Sequence, residues 1–134
     1  MASRTDAYAD TAAFIAFLDR SDSRHGLFVR LFANPPRLIT SALVIAEGHG
    51  WFLRRYDQRR ALQFLDFIAA LPMLEVKVFG SSDLAKTSRI VRRFSDQGLT
   101  LADAHGLVLM AEFKSVSCWS TDRHMGLTGV PLVE

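Results

Sequence analysis

Four acidic residues, Asp10, Glu47, Asp103 and Asp122, stand where a carboxylate is unfavourable. Asp10 lies in AYADTAAFIAFL, and Glu47 is the lone charge of LITSALVIAEGHGWFL. Asp103 is alone in QGLTLADAHGLVLMA, and Asp122 closes SVSCWSTD. A carboxylate in apolar surroundings must be paired, coordinated or protonated. Four in one small chain suggest a shared partner, and a divalent cation is the obvious one.

Each acid also has a local reading. Asp10 fits the cap of a helix that starts near Thr11. Asp103 stands three residues after Thr100, as in a capping box with Asp in place of Glu. Asp122 fits a side chain that shapes a turn. Glu47 has no such reading: it lies too far into its helix to cap it. Val44 and Trp51, at i−3 and i+4, share its face. A carboxylate there needs a cation, an arginine or a proton.

Magnesium and manganese take oxygen ligands, commonly carboxylates and water. No Cys or His cluster offers a zinc site, because His25, His49, His105 and His124 are scattered and read as surface or supporting residues. No phosphate-binding glycine loop and no Ser or Cys nucleophile motif is present. The chemistry such a carboxylate cluster serves best is metal-assisted hydrolysis of a phosphodiester. A nucleic-acid substrate also needs cations beside the acids. Arg54, Arg55, Arg59 and Arg60 form one group, and Lys86, Arg89, Arg92 and Arg93 another, although both also fit solvated helix faces. Arg123 and His124 adjoin Asp122 and are better placed to meet a substrate.

The elements that must position these residues follow from pattern and punctuation. The 134 residues suit one domain, 1–134, with a sizeable core. At 49% hydrophobic residues and a net charge of +2, neither disorder nor bulk attraction to nucleic acid is indicated. The single cysteine, Cys118, reads as a core thiol and fits a reducing, cytoplasmic setting. The apolar run from Thr11 to Leu18 is too short for a membrane span and lacks the flanks of a signal peptide. Strands are expected over Ala7–Asp10, Arg37–Thr40, Leu74–Phe79 and Val116–Trp119, with a weaker last one at Val130–Val133. Helices are expected over Thr11–Asp19, Asp22–Phe32, Ser41–Arg55, Gln58–Leu71, Ser81–Gln97 and Thr100–Phe113. This alternation predicts an α/β fold with a mostly parallel central sheet. Asp10 and Asp122 then fall at carboxyl ends of strands, where such folds gather their sites.

The pattern resembles a PIN-domain ribonuclease, most closely the VapC toxins of prokaryotic toxin–antitoxin pairs. ADTAAFIAFLDRSDSRH resembles the family's opening, ITSALVIAE its Glu-bearing helix, GLTLADAHGLVLMAE its Asp-Ala helix and WSTDRHM its Ser/Thr-x-Asp ending. The resemblance implies an α/β/α sandwich and a Mg²⁺- or Mn²⁺-dependent endoribonuclease. It makes Asp10, Glu47, Asp103 and Asp122 the catalytic, metal-binding acids, with Ser120 and Thr11 supporting them. Arg123, His124, Arg54, Arg55, Arg89 and Arg93 are the candidate RNA contacts. It further implies a structured RNA substrate, a homodimer and a cognate antitoxin as partner. The other readings are a PIN nuclease of RNA maturation outside a toxin pair, and a non-catalytic binding module on the same fold. Ala12 replaces the family's usual Ser, Met125 a common aromatic, and His124 a further acid found in many members.

Overall fold

The computed structural model describes residues 7–134; residues 1–6, the start of the expected 1–134 domain, lie outside it. Four parallel strands form the sheet: β1 (Ala7–Ala9), β2 (Leu38–Ser41), β3 (Leu74–Lys77) and β4 (Ser117–Trp119). Their order is β3-β2-β1-β4. Six helices flank them: α1 (Thr11–Leu18), α2 (His25–Ala33), α3 (Ala42–Arg55), α4 (Gln58–Ala69), α5 (Ser81–Arg93) and α6 (Leu101–Glu112). The α/β/α arrangement and its parallel sheet are as expected.

The topology explains where a site must lie. The chain runs from β1 outward through β2 to β3, then returns to place β4 on the other side of β1. The direction of winding therefore reverses beside β1, and the loops leaving β1 and β4 diverge around a crevice at their carboxyl ends. Asp10 leaves one of these strands and Ser120 to Asp122 leave the other. The Asp10 amide still donates to the Trp119 carbonyl at 3.0 Å, so both exits stay in register.

β1 reads Ala-Tyr-Ala, poor in β-branched residues, yet all three are buried between two partner strands. Tertiary position overrides weak propensity here. Its sheet face is filled by a cluster of aromatic rings. Phe14 lies 5.9 Å from Phe32 and 6.2 Å from Phe64, and Phe32 lies 5.0 Å from Trp119. Such pairs add about 0.5–1.5 kcal/mol each beyond burial. They fix α1, α2 and α4 against the strand ends.

Several of the expected boundaries shift. Asp10 is not part of β1 but occupies the first cap position of α1. α2 starts at His25, because Asp19 and Asp22 hold the preceding residues in turns through 3.0 Å backbone bonds. β3 ends at Lys77, and α5 ends at Arg93, followed by turns that reach Gly98 at φ 65°. The C-terminal segment meets the sheet at a single bridge, Cys118 to Leu132, and forms no full strand.

Gly48 and Gly50 on α3 test this packing. A Cβ on Gly48 would overlap the buried Phe64 ring, whereas one on Gly50 meets the flexible end of Arg54 at 2.9 Å. Replacing a helical Gly by Ala normally gains about 1 kcal/mol. Gly50→Ala is expected to keep much of that gain. Gly48→Ala is expected to destabilise by about 1–3 kcal/mol, because overpacking outweighs propensity. Denaturant melts of the two variants check the opposite signs.

Candidate metal centre

The four acids arrive from four separate elements and line one cavity of about 370 Å³. Asp10 comes from the end of β1, Glu47 from the second turn of α3, Asp103 from the first turn of α6 and Asp122 from the loop after β4. Thr11, Ala12, Ile15, Trp51, Arg54 and Thr100 complete the lining. Glu47, Asp103 and Asp122 are half-buried, and Asp10 is buried.

One oxygen of each acid is held by the chain. Ser120 Oγ donates to Asp10 Oδ2 at 2.9 Å. Thr11 Oγ1 donates to Glu47 Oε1 at 2.5 Å. The Thr100 amide donates to Asp103 Oδ2 at 3.1 Å, and the Asp103 amide returns a bond to Thr100 Oγ1 at 3.1 Å. The His124 amide donates to Asp122 Oδ1 at 3.0 Å, and His124 Nδ1 lies 2.9 Å from the same oxygen. Ser120 Oγ also accepts the Asp122 amide at 2.9 Å, which ties the first and last acids through one hydroxyl. Thr11 and Ser120 thus each hold one carboxylate oxygen of the cluster.

The local readings separate at this point. Asp103 does form the expected capping box, and Asp122 does shape its turn. Asp10 makes no side-chain cap bond although it stands at the cap position. Its Oδ1 is buried without a hydrogen-bond partner among the described residues. Burial pushes the Asp10 carboxyl up to about 7. The Ser120 hydroxyl and the Thr11 amide oppose that rise, while the charges of Asp103 and Glu47 add to it. None of these influences is a positive charge. A cavity lined by four carboxylates, one of which keeps an orphaned buried oxygen, fits a divalent ion. Among the described residues, Asp103, Asp122 and His124 also each offer a ligand atom, all within 4.8 Å of one another.

The basic residues divide. Arg54 lines the carboxylate cavity. Arg123 and His124 line a neighbouring one of about 550 Å³ that shares Asp122. Arg55 instead sits 5.6 Å over the Tyr56 ring, and Arg93 4.7 Å over Phe94. Arg55, Arg89 and Arg93 do not line the carboxylate cavity. Arg60 donates to the Leu18 carbonyl at 2.9 Å and covers the Tyr56 ring at 4.4 Å, a structural role. Lys86 pairs with Glu112 at 2.6 Å.

Comparison with known proteins completes the description. The family model described as "PIN domain" matches residues 7–127. The chain belongs to the PIN-domain family. Among curated PIN-type relatives it is similar to ribonuclease VapC26 of Mycobacterium tuberculosis, 25% identical over 115 residues, covering 85% of this chain and 84% of that one. Its fold is similar to the crystal structure of Mycobacterium tuberculosis VapC20, described as a sarcin–ricin loop cleaving toxin. The TM-score is 0.84 at 22% identity, covering 92% of this chain and 95% of the other. VapBC2 of Rickettsia felis, bound to a promoter DNA fragment, shares the fold at TM-score 0.63 and 12% identity, covering 96% and 97%. The likeness to VapC-type PIN domains seen in the sequence is thus borne out. No helix among the described residues is long and apolar enough to cross a membrane.

Within the PIN frame, the sequence reading missed one buried histidine. His105, expected to be a surface or supporting residue, is fully buried on α6 and lies 2.6 Å from Ser41 Oγ through Nδ1. Its position within the apolar run of α6 was the available signal. Of the three departures from the family pattern, Ala12 lines the cavity without a hydroxyl. Met125 is fully buried and reaches the space over Gly106 beside Tyr8.

The raised Asp10 carboxyl has a measurable consequence in metal-free protein. Its folded pKa of about 7 lies above the ordinary 3.8, so between these values the folded state holds the proton more tightly than the unfolded chain. Stability from this group is full below about pH 4 and is lost as pH rises through about 7. Chemical denaturation of metal-free wild type and Asp10→Asn at pH 4 and pH 8 isolates it. The wild type is expected to lose a few kcal/mol more than the variant over that interval.

Proposed function

We propose that residues 1–134 act as one metal-dependent endoribonuclease domain, the toxin of a toxin–antitoxin pair. Asp10, Glu47, Asp103 and Asp122 would hold Mg²⁺ or Mn²⁺. The observation that carries this reading is the convergence of four acids on one cavity, with a buried Asp10 oxygen left without a hydrogen-bond partner among the described residues. The names of VapC26, a ribonuclease, and VapC20, a toxin, support it. A bound divalent ion would supply an acidified water and charge stabilisation at the phosphodiester.

The chain's own residues do the rest. Thr11 fixes the rotamer of Glu47, and Ser120 fixes that of Asp10 while it anchors the loop bearing Asp122. Arg54 stands at the cavity to hold a backbone phosphate, and Arg123 extends that contact past Asp122. Ile15 and Trp51 give the cavity an apolar wall, which strengthens each charge interaction inside it. The substrate is a structured RNA. Inhibition would come from an antitoxin encoded beside this chain, the working form would be a homodimer, and the setting would be the cytoplasm.

The test is cleavage of a panel of structured RNAs, a sarcin–ricin-loop hairpin among them, with Mg²⁺ or Mn²⁺. Asp10→Asn and Asp103→Asn are each expected to lower the rate at least about 100-fold. Undiminished cleavage by both variants would remove these acids from the reaction. Arg54→Ala is expected to raise KM more than it lowers kcat, since its contact is with the backbone rather than the reacting bond.

A further inference from the structure

We propose that His124 is a nitrogen ligand of the metal centre and makes it prefer Mn²⁺ to Mg²⁺. This rests on the reading of the acids as a metal centre and adds a donor that the acids do not provide. The imidazole is already in place. A ligand atom of His124 lies within 4.8 Å of ligand atoms from both Asp103 and Asp122. Its Nδ1 stands 2.9 Å from Asp122 Oδ1. Two neighbouring ligands on a six-coordinate ion of this size, each about 2.1 Å from it, lie about 3 Å apart. The His124–Asp122 spacing, that of a direct imidazole–carboxylate pair here, also matches two neighbouring ligands of one ion.

Independent observations support the placement. Asp10 Oδ1 is buried without a hydrogen-bond partner among the described residues, on a side chain that lines the same cavity as Asp103 and Asp122. The backbone also holds His124 in position. It sits in the 3-10 turn Arg123–Gly126, whose first amides are organised by Asp122 and whose next residue, Met125, is fully buried. The backbone that carries the imidazole is thereby held beside Asp122.

The donor type decides the metal preference. Mg²⁺ takes oxygen ligands and keeps several waters. An imidazole suits transition ions, whose affinity for nitrogen rises along the first row. A neutral nitrogen also adds a ligand without adding a fifth negative charge to four that already repel one another. A site of four acids with one imidazole therefore gains more for Mn²⁺ than for Mg²⁺.

The experiment uses the full chain with Mn²⁺ as probe. Pulsed electron paramagnetic resonance of the bound ion is expected to show a ¹⁴N coupling that changes to ¹⁵N in histidine-labelled protein. The coupling should vanish in His124→Gln. Titration calorimetry should show Mn²⁺ affinity falling at least about tenfold in that variant, with Mg²⁺ affinity changed much less. His124→Asp should narrow the preference, because an oxygen donor then stands in place of the nitrogen. Thermal melts confirm that both variants fold. Mn²⁺ bound without a ¹⁴N coupling, or equal losses for both ions in His124→Gln, would overturn the ligand role and leave the carboxylate centre standing. Failure of the wild type to bind either ion would overturn the metal centre itself, and this proposal with it.

Discussion

A carboxylate at the end of a buried central strand governs the rest of this molecule. Asp10 follows β1, which lies between β2 and β4 with all its residues buried. Its own carboxyl is buried too, with one oxygen held by Ser120 and the other without a hydrogen-bond partner among the described residues. Water cannot solvate that group fully, and the neighbouring Asp103 and Glu47 repel its charge. The ion-free protein therefore carries a tension that a cation would relieve. The other acids, the supporting hydroxyls and the arginine at the cavity are arranged around that one position.

The arrangement works because each acid is fixed through one oxygen. Thr11, Thr100, Ser120 and the His124 amide each engage one carboxylate. All four contacts come from residues that also shape local structure, as helix starts, a strand exit or a turn. The hydrogen bonds that hold the acids are thus also the ones that shape the local fold. Asp103 illustrates this: its capping box secures the first turn of α6 and at the same time aims the side chain into the cavity. A cap and a ligand are compatible roles for a side chain with two oxygens.

Structural support reaches the site from a distance through the aromatic cluster. Phe14 on α1 packs on Phe64 of α4, which fills the space beside Gly48 of α3. Glu47 is the neighbour of that glycine. Close packing of a ring against a helix backbone sets where α3 sits, and so where Glu47 meets Thr11. At the far corner, Asp19 accepts from Ser21 and Tyr56, and Arg60 caps the Leu18 carbonyl, which joins the end of α1 to α3 and α4. These arginine and aspartate residues resemble site residues by type but act as braces.

Much of this was legible without coordinates. Alternating apolar runs and helix punctuation determined the α/β class, and isolated charges in apolar stretches singled out the four acids, because a charge in such a place demands compensation whatever the fold. Boundaries were less legible: Asp10 looked like strand or cap and acts as neither a strand residue nor a side-chain cap. Only the tertiary structure decided which basic residues face the acids. Arg54 and Arg55 are adjacent in sequence, yet one lines the cavity and the other lies over Tyr56, because one residue turns a helix by roughly 100°. It also decided that His105 is buried against Ser41 while His124 joins Asp103 and Asp122. The type of a side chain is written in the chain itself, but which groups it meets depends on how strands far apart in sequence are brought side by side.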